Sequence, residues 1–147
     1  MDESEIDEVR ALLRAYAASL PFELAFQDFE RELAELPGAY APPRGALLVA
    51  HSDVGVTGCV ALRPLEDDVC EMKRLFVLPA ARGTGLGRKL ATAVVVEARR
   101  LGYARLRLDT TPDMAVAQSL YDDLGFEEIG PYRHNPVAGT KFLELQL

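Results

Sequence analysis

Directly after the apolar run Leu75-Phe76-Val77-Leu78-Pro79, the chain reads Arg82-Gly83-Thr84-Gly85-Leu86-Gly87-Arg88, and a helical pattern follows at once. Three alternating glycines let the backbone fold tightly and turn its N–H groups towards one point. The first turn of a helix adds unpaired N–H donors and a partial positive charge. Arg82, Arg88 and Lys89 supply full charges nearby. A chain with this segment has to join the end of a strand to the start of a helix at an anion-binding point, and a diphosphate fits such a point. The usual dinucleotide fingerprint needs a third glycine where Arg88 stands, and the mononucleotide loop needs Lys and then Ser or Thr after its last glycine. Both match poorly. A glycine turn with a purely structural duty is the competing reading.

The rest of the chain surrounds this turn with alternating elements. Ser4 with Asp7 resembles a capping box, and Ile6, Val9, Leu13, Tyr16, Ala17 and Leu20 follow helical spacing. Pro21 breaks that helix, and Phe22 to Leu36 marks a second amphipathic one. The stretch 37–45 is rich in Pro and Gly and reads as a loop. Strands are expected over 46–50, 56–62 and 69–78, a helix over 85–101 stopped by Gly102, and a strand over 104–109. Thr111-Pro112 opens a helix carrying Val116, Leu120 and Leu124, and strands over 126–129 and 141–147 close the chain. The fold class is therefore α/β, or α+β with a mixed sheet, in a single domain spanning 1–147.

Charge narrows the ligand further. Residues 1–36 hold 10 acids and 3 bases, whereas the remaining residues hold 13 of each. Within the second part, Glu71 to Arg107 carries 9 bases against 2 acids. A basic segment inside a chain of net charge −7 suggests a small phosphorylated ligand rather than nucleic acid. A solvated basic face is the bland alternative. The acidic residues 1–10 lack an apolar core and do not read as a secretory signal, and no apolar run is long enough to span a bilayer. A cytoplasmic location without membrane contact is the default. Cys59 and Cys70 lack metal-ligand spacing and read as reduced core thiols, so no metal is expected.

On these residues the chain resembles the GNAT superfamily of N-acetyltransferases. The cofactor signature [QR]-x-x-G-x-[GA], after a strand ending roughly L-x-V-x-P, is matched by Leu75 to Pro79 and by Arg82 to Gly87. A second signature, L-Y-x-x-x-G-F, stands as Leu120-Tyr121-Asp122-Asp123-Leu124-Gly125-Phe126. The resemblance runs from about residue 46 to 147 and fits the helical front more loosely. It implies a central, mostly antiparallel sheet with about four helices, splayed where strand 69–78 leaves strand 104–109. Acetyl-CoA is the implied co-substrate. Its pantetheine arm would lie in the gap against the backbone of Leu75, Phe76 and Val77. Its pyrophosphate would sit on Gly83, Thr84, Gly85, Leu86, Gly87 and Arg88, with Arg82 beside them. A main-chain N–H near Val77 would polarise the thioester carbonyl.

The implied reaction is acetyl transfer to a primary amine of a small molecule by direct attack. Tyr121 matches the tyrosine that many members place beside the CoA sulfur, which makes it the candidate acid. Glu71, on the strand that borders the gap, is the candidate base, with Asp109 as the weaker alternative. Lys73 and Arg74 either bind a substrate carboxylate or face solvent. A CoA-binding regulatory module without turnover and a protein or peptide acetyltransferase are the other readings. Homodimers are common in the superfamily, and no residue here specifies one. The chain departs from the pattern in two places: the first strand is missing, and Met114 stands where many members have Asn.

Overall fold

A computed structural model of the chain describes residues 1–21 and 28–147. Its apolar and alternating segments pair into one six-stranded sheet. The strands are β1 (Ala46–Ser52), β2 (Gly55–Pro64), β3 (Val69–Val77), β4 (Arg105–Thr110), β5 (Glu127–Ile129) and β6 (Lys141–Gln146), in the spatial order β1-β2-β3-β4-β6-β5. Every neighbouring pair is antiparallel except β3 and β4. That parallel pair needs a crossover, and α3 (Leu86–Arg100) provides it.

Each face of the sheet carries helices. On one face, α3 places Leu90, Val94 and Ala98 against Val60, Leu62, Met72 and Leu106, and Tyr121 of α4 (Ala115–Asp123) joins the same cluster. On the other, α1 (Glu3–Ser19) and α2 (Phe29–Glu35) bring Val9, Leu13 and Leu33 onto Cys59, Ala61 and Phe76. The strand alternation explains the split, because successive side chains of β4 point to opposite faces: Leu106, Leu108 and Thr110 are buried while Arg107 and Asp109 are not. Cys59 and Cys70 are buried free thiols. Among the described residues, no helix is long and apolar enough to cross a membrane.

The expected elements are present among the described residues, with differences in extent. The N-cap of α1 is Asp2, whose Oδ1 accepts from the Glu5 amide at 2.8 Å, rather than Ser4. Asp2 with Glu5 offers the same spacing two residues earlier, with a better acceptor. The helix expected from Pro112 starts at Ala115, because residues 111–114 form a turn closed by the Met114 amide on the Thr111 carbonyl. In that turn the Thr111 hydroxyl reaches Asp113 instead of capping a helix. Of the second expected helix, 29–35 is helical, and residues 22–27 lie outside the described residues.

Two irregularities in β3 shape everything that follows. Cys59 faces Phe76 while Ala61 faces Lys73, so three steps along β3 oppose two along β2, a bulge. Arg74 lies in it with φ +61°, a left-handed conformation costing roughly 1–2 kcal/mol for a residue with a Cβ. Secondly, β3 pairs with β4 only at Val69↔Arg105, Cys70↔Leu106 and Glu71↔Arg107. Beyond Glu71 the two strands part, while β4 continues against β6 as far as Thr110↔Lys141. The splay expected between these strands therefore starts at the bulged segment.

Candidate active site

The parting strands leave a pocket. Met72, Lys73, Arg74 and Leu75 line it from β3, and Leu108, Asp109 and Thr110 line it from β4. Tyr16 of α1, Tyr121 of α4, Thr111, Met114 and Asn135 complete the wall. At the far end of β3 the chain turns through a short 3-10 segment, Pro79–Ala81, into the glycine stretch. Gly83 and Gly85 have φ of +81° and +78°, and a Cβ built on either would meet nothing within 4 Å. Gly85 is the N-cap of α3, so open space lies in front of that helix's first amides. The turn thus leaves room beside the start of α3, whose first amides have no partner within the helix.

The basic residues of the cradle are held by the protein. Arg82 donates from Nε to the Val77 carbonyl at 3.0 Å and lies over the Phe76 ring, 5.6 Å from its centroid. Arg88 pairs with Asp123 of α4 at 2.8 Å, both side chains being about half exposed. The Thr84 hydroxyl donates to the Ala81 carbonyl at 2.8 Å. Leu75, Phe76 and Val77 run alongside the gap, with Phe76 buried against Tyr16 in an edge-on contact at 5.4 Å.

Tyr121 stands across the gap from β3, buried and tilted against Phe126 at 5.6 Å. Burial, reinforced by Tyr16 and Asp109, pushes its phenol pKa above the ordinary 10.0, so the hydroxyl keeps its proton throughout the neutral range.

Glu71 is placed differently. It is fully buried and lies outside the pocket wall among the described residues. Arg63 donates to its Oε1 at 2.8 Å, while the Tyr132 hydroxyl at 2.6 Å and an Arg133 guanidinium hold Oε2. Burial alone would raise its pKa, but the charges of Lys73, Arg133 and Arg63 outweigh that and lower it below 4.5. Asp109, by contrast, lines the pocket directly and accepts from Asn135 Nδ2 at 3.1 Å.

Lys73 and Arg74 are both buried rather than solvated. Burial first, and then the charge of Arg74, lowers the Lys73 ammonium pKa to about 8. Arg74 is clamped to Glu32 by two hydrogen bonds. Thr110 is 2% exposed, and its hydroxyl has no hydrogen-bond partner among the described residues.

The structure thus places Leu75 and Tyr121 in one pocket wall, leads β3 on through Phe76 and Val77 towards the glycine turn before α3, and leaves Glu71 outside that wall. Sequence reasoning passed over Tyr16, Thr110 and Asn135. The stretch Tyr132-Arg133-His134-Asn135, an aromatic and polar cluster between two short strands, was the available signal for the last of these.

The chain is similar to known acetyltransferases. The sequence profile of the "Acetyltransferase (GNAT) family" matches residues 8–126. An uncharacterized N-acetyltransferase of Schizosaccharomyces pombe is 36% identical over 145 residues, which is 97% of this chain and 89% of that protein. An IAA acetyltransferase of Azospirillum brasilense is 39% identical over 109 residues, covering 73% of this chain and 71% of its own. A GNAT family acetyltransferase from Elizabethkingia anophelis, solved with acetyl-CoA bound, shares the fold with a TM-score of 0.63 at 20% identity, over 82% of each chain.

Proposed function

The chain belongs to the acetyltransferase (GNAT) family, and on that premise we propose that it transfers the acetyl group of acetyl-CoA to the primary amine of a small molecule by direct attack. The observation that carries this reading is the parting of β3 from β4 after Glu71, which opens a pocket lined by Leu75 and Tyr121. A linear arm ending in a thioester fits a gap of this shape, and a diphosphate fits the open N-terminus of α3. When bound, acetyl-CoA supplies the activated acetyl group. The related IAA acetyltransferase supports a small acceptor.

The chain's own residues then divide the work. The amides of residues 83–88 hold the diphosphate, and the backbone of Leu75, Phe76 and Val77 aligns the arm. A main-chain N–H near Val77 meets the charge that develops on the carbonyl oxygen. Tyr121, kept protonated by burial, gives its proton to the departing sulfur. A free alkyl amine is protonated at neutral pH and has to lose one proton before it attacks.

Of the two carboxylates near the gap, we assign that proton to Asp109, directly or through a water, because Asp109 touches the pocket. Glu71 has both oxygens engaged and a lowered pKa. As the base it would need a relay through Tyr132, and its main part in the proposal is to hold Tyr132 and Arg133 in place. One catalytic domain over 1–147 and residence in the cytoplasm belong to the same proposal. The two free thiols fit a reducing compartment.

Calorimetric titration with acetyl-CoA, with NADH and ATP as controls, tests the reading. Micromolar binding of acetyl-CoA alone, followed by thiol release with a member of an amine panel, is the expected result. Preference for a control nucleotide would overturn it.

A further inference from the structure

Thr110 carries a hydroxyl that the described residues leave unanswered. The residue is 2% exposed, and its Oγ1 is the buried side-chain oxygen without a hydrogen-bond partner among the described residues. Leaving such a group unpaired costs about 1–3 kcal/mol, so its presence in a pocket wall points to a ligand. Three positions tell which ligand. Thr110 is the last residue of β4, on the stretch that β3 has left. It alternates with Leu106 and Leu108, which pack against α3, the helix that begins at the glycine cradle. Asp109, one residue earlier, points to the opposite face of the sheet. Thr110 therefore belongs to the cradle side of the gap. Leu108 and Met114, which share the wall, offer no hydrogen bond of comparable strength, and Thr111 and Asn135 are bonded to Asp113 and Asp109.

We propose that the Thr110 hydroxyl positions the acyl-CoA by hydrogen bonding an amide of its pantetheine arm. This rests on the acetyl-CoA reading above. A hydroxyl both donates and accepts, which suits an amide's C=O and N–H alike. In the acetyl-CoA reading the adenine and phosphate end lies at the glycine turn before α3, none of whose residues lines the pocket that Thr110 lines. Thr110 touches no reacting atom in this assignment and acts by fixing the arm's register.

The test compares Thr110→Val and Thr110→Ser with the unaltered protein by calorimetry and thermal unfolding. Thr110→Val is expected to bind acetyl-CoA and CoA about tenfold more weakly, the loss of one buried hydrogen bond. It should bind adenosine 3′-phosphate 5′-diphosphate, which has the diphosphate but no arm, as the unaltered protein does. Its ligand-free unfolding temperature should be unchanged or higher, since an unpaired buried hydroxyl has gone. Thr110→Ser should retain most of the affinity.

Equal acetyl-CoA affinity in Thr110→Val would overturn the proposal. So would an equal loss for the armless nucleotide, or a clear fall in ligand-free stability, either of which marks a structural role. An unaltered protein that fails to bind acetyl-CoA would instead remove the acetyltransferase reading, and this proposal with it.

Discussion

Arg74 donates from Nε and from Nη2 to different oxygens of Glu32, at 2.8 and 2.9 Å, across 42 residues of chain. The pair pins α2 to the bulged part of β3, and the guanidinium also lies over the Phe29 ring at 5.3 Å. Both partners are largely buried, with side-chain exposures of 3% and 19%. Glu32→Gln leaves the arginine charge without its counter-ion and is expected to cost about 3 kcal/mol. A urea titration reads this as a lower midpoint with an unchanged slope. A midpoint within error of the unaltered protein would mean that solvent takes over the guanidinium.

Tyr121→Phe keeps the ring packed on Phe126 and removes the proton donor. Turnover should fall about 100-fold or more, while acetyl-CoA affinity in calorimetry stays nearly the same. Unchanged turnover would take Tyr121 out of the acid's role.

Gly85→Asp puts a carboxylate at the N-cap of α3. The left-handed φ of +78° is one that Asp tolerates better than most residues, and open space surrounds the new Cβ, so folding should survive. Binding of acetyl-CoA should be lost, because a negative charge then faces the diphosphate. Normal affinity would place the cradle elsewhere.

Asp109→Asn separates the two carboxylates. If Asp109 takes the acceptor's proton, the variant should lose at least about tenfold in turnover with a strongly basic amine. It should recover with an amine that is already neutral at the assay pH. A loss that ignores amine basicity would return the role to Glu71 or assign Asp109 to binding.

Glu71→Gln should act mainly on stability. The Glu71 pKa is lowered on folding from 4.5, so its stabilising contribution is fully present above that value and is lost as pH falls through the lowered one. The variant, which strands Arg63 and Arg133, should be about 3 kcal/mol less stable at neutral pH, and the gap should hold down to pH 4.5 and narrow only below it. Thermal melts from pH 7 downwards read it. A gap independent of pH would show that packing, not charge, holds the cluster.

What could be read from the sequence was what lies contiguous in it. Arg82 to Arg88 declares itself because the strand end, the glycines and the helix start are consecutive, and Leu120 to Phe126 for the same reason. The strand Val69–Val77 was visible as an apolar run, but its bulge was not, since nothing in Lys73-Arg74-Leu75 calls for a positive φ at arginine. The ionic frame was hidden by separation. Glu71 meets Tyr132 and Arg133 over 61 and 62 residues, and Asp109 meets Asn135 over 26. For the same reason Glu71 read as a candidate base beside the gap, whereas Arg63 across the hairpin and Tyr132 and Arg133 from a distant segment enclose it. Thr110 stood out in no pattern, because being unpaired is a property of the folded surroundings.

The short register shared by β3 and β4 also bears on solubility. A strand flank without a neighbour normally sits at the rim of a sheet, where a second molecule can add to it and start aggregation. Here the unmatched flanks face each other inside the protein, between Tyr16 on one side and Tyr121 on the other. A foreign sheet arrives with side chains on both faces, roughly 10 Å deep, and is too thick to enter. A single extended thread of amides is not. The same opening that admits a slender ligand therefore screens out copies of the protein itself, and the chain can keep unpaired backbone at its centre without becoming sticky.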